Sequence, residues 1–195
     1  MSSKLLGMTE EDARERILAA AEELYYRKGF AAVGMDELRS EAGVSLRRLY
    51  SLFPAKTDIV TAVLARRHAQ WESGLSTAVT DAGDDPRTRL LAVYGYLENW
   101  FCADDFRGCA FINAFGELGG TNPDVAEIVR AHKASFQEYM AGLVADTGAP
   151  AALAAQLSIL AEGAQSTAAI SKDPSVAVQA RGAAEVLIDA AFAQA

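Results

Sequence analysis

Apolar side chains recur three and four residues apart along most of the 195-residue chain, a spacing that predicts amphipathic α-helices. The first predicted helix begins at Thr9, whose side chain can form a short capping box with Asp12, and it ends at Gly29. Its expected buried stripe consists of Ile17, Ala20, Ala21, Leu24 and Tyr25. Phe30 follows as the apolar contact that is common just after a helix end.

Residues 34–53 predict two short helices joined by a tight turn. Gly43 can adopt the left-handed conformation that ends the first of them, and Ser45 is a good N-cap for the second. The expected apolar stripe of the second helix is Leu46, Leu49, Tyr50 and Phe53, which leaves Arg47, Arg48 and Ser51 on the outside. This arrangement is typical of a helix-turn-helix that places a helix in the major groove of DNA. The alternative is an ordinary helical hairpin with solvated arginines.

The rest of the chain predicts further helices. A long helix follows Pro54 and reaches about Thr80, and another runs from Asp84 to about Phe101. Glycines break residues 102–122 into a loop and a short helix. Three more helices are expected over 122–146, 151–171 and 175–193. The predicted fold is therefore all-α, with about nine helices. Ala55 cannot cap the long helix, so its first N–H groups need another acceptor, either a DNA phosphate or water.

Charge separates one end of the chain from the remainder. The net charge is −8, yet residues 39–56 carry four basic side chains and one acidic one, a local charge of +3. Residues 61–195 carry nine basic and sixteen acidic side chains, or −7. A basic patch on an acidic body suits a protein that touches DNA at one end.

Hydropathy and cysteine content together predict the cellular compartment in which the protein acts. No stretch approaches the roughly 20 uncharged apolar residues of a membrane span, so no membrane partner is expected. The first residues lack the apolar core of a signal peptide, and two cysteines suit a reducing compartment. The expected location is the cytoplasm.

Several short motifs together resemble the tetracycline-repressor (TetR) family. They are Arg16-Ile17-Leu18-Ala19-Ala20-Ala21, Gly29-Phe30, Glu41-Ala42-Gly43-Val44-Ser45, Leu49-Tyr50 and Phe53-Pro54-x-Lys56. The later segments FRGCAFINAFGELGG and NPDVAEIV look like a variant of the ligand-domain signature in one branch of that family. Departures such as Val33-Gly34 and Leu46-Arg47 mean that no operator sequence can be borrowed from relatives.

The resemblance implies a cytoplasmic homodimer that regulates transcription, most simply a repressor released from double-stranded operator DNA by a small-molecule effector. The DNA-binding domain would cover residues 10–70, with the helix-turn-helix at about 33–53, and the ligand-binding and dimerisation domain residues 71–195. Tyr50 and Lys56 would contact phosphate. The expected DNA-binding set is Arg39, Ser45, Leu46, Arg47, Arg48, Tyr50, Ser51 and Lys56.

Two further sets follow from the resemblance. Aromatic residues with interleaved polar ones indicate an effector pocket formed by Trp71, Trp100, Phe111, Asn113, Phe115, Glu117, His132, Phe136 and Tyr139. The dimer interface is expected in the last two helices, at Ala154, Leu157, Ala161, Ala164, Ala184 and Leu187. Packing of these small residues inside one chain is the alternative.

No signature of catalysis, cofactor binding or metal binding is present. The glycines at 116–120 lack the lysine of a phosphate-binding loop, and His68 and His132 are far apart in sequence. Two other classes of protein remain open. One is a helical small-molecule-binding protein without specific operator recognition, and the other is an enzyme using Cys102 and Cys109 in redox chemistry.

Overall fold

The computed structural model describes residues 8–193, and these residues form nine α-helices and no strand. The helices are α1 (Glu10–Lys28), α2 (Met35–Ala42), α3 (Leu46–Leu52), α4 (Lys56–Asp81), α5 (Pro86–Phe101), α6 (Ala110–Leu118), α7 (Pro123–Ala145), α8 (Ala152–Ser171) and α9 (Val176–Phe192). The all-α prediction is therefore confirmed. Residues 1–7, on which the signal-peptide argument partly rests, and the last two residues of the predicted second domain lie outside the described range.

Both ends of α1 follow from the local sequence. The Thr9 side chain accepts a hydrogen bond from the Asp12 N–H, while the Asp12 carboxylate accepts one from the Thr9 N–H, which completes the capping box. Gly29 ends the helix with φ at 91°, and its N–H donates to the Tyr25 carbonyl. Phe30 then stacks on Tyr25 with ring centroids 5.1 Å apart.

The turn between α2 and α3 is held by backbone hydrogen bonds. Gly43 is left-handed at φ 65°, and its N–H donates to the Ser40 carbonyl at 3.3 Å. The Val44 N–H donates to the Arg39 carbonyl at 3.0 Å, and the Val44 side chain is buried. Helices α1, α2 and α3 pack against one another, which fixes the direction of α3.

The structure divides into two compact units. The first extends to Arg67 and also includes Ala110–Val129, so it contains α1–α3, α6 and the start of α4 and α7. The second consists of His68–Cys109 and the residues from Arg130 onwards. Domain limits at residues 70 and 71 remain a prediction from the resemblance.

The core of the second unit lies among α5, α8 and α9, which pack against one another. Tyr94 is one of its largest buried side chains, and its hydroxyl donates to the Leu157 carbonyl at 2.8 Å. Burial raises the pKa of this hydroxyl. Across residues 8–193, no helix combines the length and the apolar character that a bilayer crossing requires.

Candidate functional site

Helix α3 is anchored at its start and presents a mixed outer face. The Ser45 side chain caps it by accepting from the Arg48 N–H at 3.1 Å, and the Ser51 hydroxyl donates to the Arg48 carbonyl at 2.8 Å. Only Leu49 and Phe53 of the predicted apolar stripe are buried. Leu46 is 38% exposed and Tyr50 46% exposed, so half of the stripe faces away from the core, and both side chains stay accessible as members of the predicted DNA-binding set. Leu49 within this short helix and Phe53 immediately after its end anchor it against the core of the first unit.

The arginines near α3 differ in how they are engaged. Arg39 donates from Nε to Asp36 at 2.9 Å, and an Nη1 of Arg48 lies 3.9 Å from a Glu10 carboxylate oxygen. Arg47 is exposed, and within the part of the chain that the structure describes it forms no ion pair. The outer face of α3 thus carries an unengaged guanidinium beside the exposed Leu46 and Tyr50.

Lys56, at the start of α4, is held by its own unit. Its Nζ donates to the Ala31 carbonyl at 3.1 Å and lies 5.9 Å from the centre of the Tyr25 ring. Burial lowers the Lys56 pKa, and the neighbouring Glu117 carboxylate opposes that change. The Asp58 carboxylate accepts from the Ala55 N–H at 2.8 Å, one residue before α4 begins. An outside acceptor for the first N–H groups of α4 itself, a DNA phosphate or water, stays a prediction.

The predicted pocket residues are divided between the two units. Phe111, Asn113, Phe115 and Glu117 belong to the first unit, and the other five belong to the second. Phe111 is buried, whereas Phe115 is 45% exposed. The Glu117 carboxylate accepts from the Ala31 N–H at 2.8 Å, so it holds the same loop that Lys56 engages.

Within the second unit, α4 and α7 line a cavity of about 360 Å³ that is open to solvent on one side, where Glu72, Ser76 and Glu138 are exposed. Two predicted residues, Trp71 and Tyr139, line it, but sequence reasoning missed the other five. The complete lining is Trp71, Glu72, Leu75, Ser76, Ser135, Glu138 and Tyr139. Two other predicted aromatic residues pack against neighbouring rings: Phe136 contacts Trp71, and Trp100 contacts Phe101 and Phe106.

The two histidines meet despite their distance in sequence. Their Nδ1 atoms are 3.0 Å apart, so one ring donates and the other accepts. His132 is buried, and its pKa falls from 6.5 to about 3, first because of burial and then because of Lys133 and His68. A neutral His132 is therefore expected at physiological pH. Across the described residues, no group of three or more His, Cys, Asp or Glu side chains could hold a metal ion.

The cysteines do not form a pair. Cys102 is exposed and Cys109 is buried, and both are free thiols. The Cys109 sulfur accepts from Lys133 Nζ at 3.6 Å, and the same ammonium pairs with Glu162 at 2.6 Å.

The predicted dimer residues mostly lie inside one chain. Ala154, Leu157, Ala161, Ala164 and Ala184 are buried in the second unit's own core, and Leu187 packs against that core. The same two helices expose four other apolar side chains, namely Ile159, Ile170, Val178 and Val186, each of them 57% to 84% accessible. Sequence periodicity points to an apolar face but does not separate these two sets.

Comparison with known proteins assigns the first unit to a family. Residues 17–63 match the family model described as bacterial regulatory proteins, tetR family. The chain is 30% identical over 118 residues to the HTH-type transcriptional repressor NemR of Escherichia coli K12, a match covering 60% of this chain and 59% of NemR. It is 29% identical over 153 residues to the HTH-type transcriptional activator FasR of Mycolicibacterium smegmatis, covering 78% and 68% of the two chains. The match to NemR thus spans less than two thirds of that relative's length.

Solved structures extend the similarity over nearly the whole chain. A TetR-family transcriptional regulator from Streptomyces coelicolor superposes with a TM-score of 0.87 at 28% identity, covering 94% of this chain and 92% of its own. A protein from Streptomyces avermitilis assigned to the same regulators gives a TM-score of 0.78 at 32% identity, with 92% and 97% covered.

Proposed function

We propose that this chain, which belongs to the tetR family of bacterial regulatory proteins, is a repressor that binds operator DNA as a homodimer and dissociates when a small molecule binds. The family consists of DNA-binding transcriptional regulators and not of enzymes. The observation that carries the proposal is the matched helix-turn-helix, whose α3 presents exposed Arg47, Tyr50 and Leu46. The proposed place of action is the cytoplasm.

The contacts suggest distinct roles for the residues of the proposed DNA-binding set. Arg47 and Arg48 on α3 would reach base edges or phosphates, and Tyr50 would contact phosphate through its exposed hydroxyl. Ser45 and Ser51 stabilise α3, because both are engaged with its backbone. Arg39, and Lys56 at the start of α4, would add positive charge near the DNA backbone, although each already has a partner within the first unit.

The proposed dimer uses the outer side of α8 and α9. Ile159 and Ile170 are eleven residues apart, which is about three turns, so they lie on one side of α8. Val178 and Val186 are eight residues apart and lie within about 80° of each other on α9. Large apolar side chains exposed together on adjacent helices favour burial against a second copy of the same face.

Selection of binding sites from random double-stranded DNA tests this function. A dimer carries two copies of α3, one for each half-site. The selected DNA should therefore be nearly palindromic, with half-sites about 34–36 Å apart or a multiple of that distance. Affinity for the selected site should fall steeply with salt because basic side chains displace counterions. A chain that enriches no motif but still binds small molecules would instead be the helical binding protein without operator recognition.

The direction of regulation needs a separate measurement, because NemR is named a repressor and FasR an activator. A reporter promoter carrying the selected site should be less active when the chain is present. Higher reporter activity would identify an activator and leave the DNA-binding part of the proposal intact.

A further inference from the structure

The cavity between α4 and α7 has a negatively charged lining, which favours positively charged ligands. Its charged side chains are the carboxylates of Glu72 and Glu138, and among the residues that the structure describes no lysine or arginine lines it. A cavity of about 360 Å³ is within the range that binds small organic molecules. The lining therefore presents negative charge to any molecule that enters.

The two carboxylates differ in how much of their charge is already engaged. Glu72 accepts from the Ser135 hydroxyl at 2.6 Å and lies 3.3 Å from His68 Nε2. Glu138 is exposed, and over residues 8–193 it takes part in no hydrogen bond or ion pair. Arg89 acts electrostatically on the neighbouring Tyr139, but its guanidinium already pairs with Asp146 at 3.2 Å. Glu138 is thus the carboxylate with the most charge available for a ligand.

Aromatic rings supply the other half of the lining. The Trp71 indole meets the His132 and Phe136 rings edge to face, each with centroids 5.2 Å apart, so its orientation is fixed from two sides. Tyr139 provides a second ring, and the buried Leu75 adds an apolar contact. Fixed aromatic rings close to carboxylates favour quaternary or protonated amines, because the ring face and the carboxylate both attract a cation.

We infer that the effector bound by this cavity is an organic monocation, a quaternary or protonated amine with an aromatic or aliphatic body. Its cationic head would lie between Glu138 and the Trp71 ring, and its apolar body against Leu75 and Tyr139. Carboxylate and phosphate anions would be excluded by the two glutamates. The inference rests on the proposed function only in calling this molecule an effector, because binding itself can be measured without DNA.

A matched set of three probes separates charge from shape. Phenethyltrimethylammonium is the cation, (3,3-dimethylbutyl)benzene replaces its nitrogen by carbon, and 3-phenylpropionate carries a negative charge. Binding is measured on the full chain by Trp71 fluorescence in a Trp100→Phe background, because Trp100 is the other tryptophan, and by calorimetry. We expect the affinity for the cation to be at least about tenfold higher than the affinity for the neutral probe, and we expect no binding of the anion.

Substitutions then assign the effect to this cavity. Glu138→Gln and Glu72→Gln keep the side-chain size and an acceptor oxygen but remove the charge, so each should weaken cation binding by roughly tenfold. Neutral-probe binding should stay unchanged in both. Glu98→Gln is the control, because Glu98 lines a different cavity of the same unit. It should leave cation affinity within about twofold.

The outcomes are distinct. Equal binding of the neutral probe, preferential binding of the anion, no binding of the cation, or an equal loss in Glu98→Gln would each overturn the inference. The same preparations are tested on DNA selected by the wild-type chain. Intact salt-dependent DNA binding with no cation binding would reject the ligand class and keep the proposed function. Cation binding without any selected DNA would reject the function and keep the site.

Discussion

Arg47 lies where α3 would approach base edges, and no acidic side chain of the described residues pairs with it. A bidentate arginine–guanine contact gives about 1–3 kcal/mol of discrimination between bases. We therefore expect Arg47→Ala to flatten the preference at one position of each half-site. Arg39→Ala is the matched control: its guanidinium already pairs with Asp36, so this change should lower affinity without altering the motif.

Binding-site selection with both variants makes that comparison directly. A motif unchanged in Arg47→Ala would mean that this side chain contacts only phosphate. A motif altered by Arg39→Ala would move base recognition towards α2.

His132 links the stability of the second unit to pH. Its pKa is about 3 in the folded chain, lowered mainly by burial, whereas an unfolded histidine has a pKa of about 6.5. Between these values the unfolded chain binds one more proton than the folded chain. Stability from a neutral His132 is therefore complete above pH 6.5 and is lost as the pH falls, by about 1 kcal/mol at pH 5.5.

Urea unfolding at pH 7.5 and pH 5.5 measures this loss. His132→Asn should lower stability at both pH values but reduce the difference between them by about 1 kcal/mol. An unchanged difference would show that other groups cause the pH dependence.

Gly29 combines an unusual backbone conformation with a close side chain. Its φ is 91°, and an added Cβ would lie 2.9 Å from a Glu117 oxygen. Gly83 has a φ of 88° with no atom within 4 Å of such a Cβ, so Gly83→Ala gives the backbone cost alone. Gly29→Ala should destabilise by about 1 kcal/mol more than Gly83→Ala, because Glu117 would have to release the Ala31 N–H.

Thermal or urea unfolding of both variants provides the comparison. In a Glu117→Ala background, the additional cost at Gly29 should disappear. Equal costs in the wild-type background would mean that Glu117 moves aside without losing its hydrogen bond.

At the scale of elements, α8 and α9 each carry one apolar side for the core and another that stays exposed. Ile159→Glu or Val186→Glu should shift the chain from dimer to monomer while the monomer stays folded, because both side chains are at least 69% exposed in the single chain. The affinity for operator DNA should decrease as the dimer dissociates, because one chain alone contacts only one half-site. Analytical ultracentrifugation measures the state, and circular dichroism confirms the fold.

Ala161→Glu is the contrasting variant. Its side chain is fully buried in the unit's own core, so a charge there should unfold the unit and not merely separate two chains. An intact dimer in both Ile159→Glu and Val186→Glu would place the interface on another surface.

Local signals predicted the helices well because caps and turns act over a few residues. The Thr9–Asp12 capping box and the left-handed Gly43 are both present. Burial within a helix was less predictable. Leu46 and Tyr50 follow the same spacing as Leu49, and only tertiary packing decides which of these side chains is covered. In α8 the core covers the small Ala161, while the larger Ile159 stays exposed.

For the molecule as a whole, contacts between residues far apart in the chain could not be predicted from the sequence. His68 and His132 are 64 residues apart, and Ala31 and Glu117 are 86 apart, with no local pattern to connect them. The sequence therefore assigned Glu117 to an effector pocket, whereas its carboxylate hydrogen-bonds to a loop of the first unit. Trp71 and Tyr139 were identified because aromatic residues stand out, while Glu72 and Glu138 resemble any solvated glutamate of a helix.

Coupling between effector and operator is the property that would make this molecule a switch. An effector can release DNA only by as much as its affinity differs between the DNA-bound and free protein, typically 1–3 kcal/mol, or about 5- to 150-fold. By thermodynamic reciprocity, saturating operator must weaken effector binding by the same factor. We expect the phenethyltrimethylammonium affinity, measured by Trp71 fluorescence at constant salt, to fall at least about fivefold when operator is added.

A scrambled duplex of equal length is the control for that measurement, because it binds only through phosphate contacts and should leave the cation affinity nearly unchanged. The effect should also act in the other direction, with the cation increasing the operator dissociation constant by the same factor. Glu138→Gln, which binds the cation more weakly, should need a proportionally higher concentration to release DNA. Equal cation affinities with operator and with scrambled DNA would show that the cavity is not coupled to DNA binding, even if both sites are real.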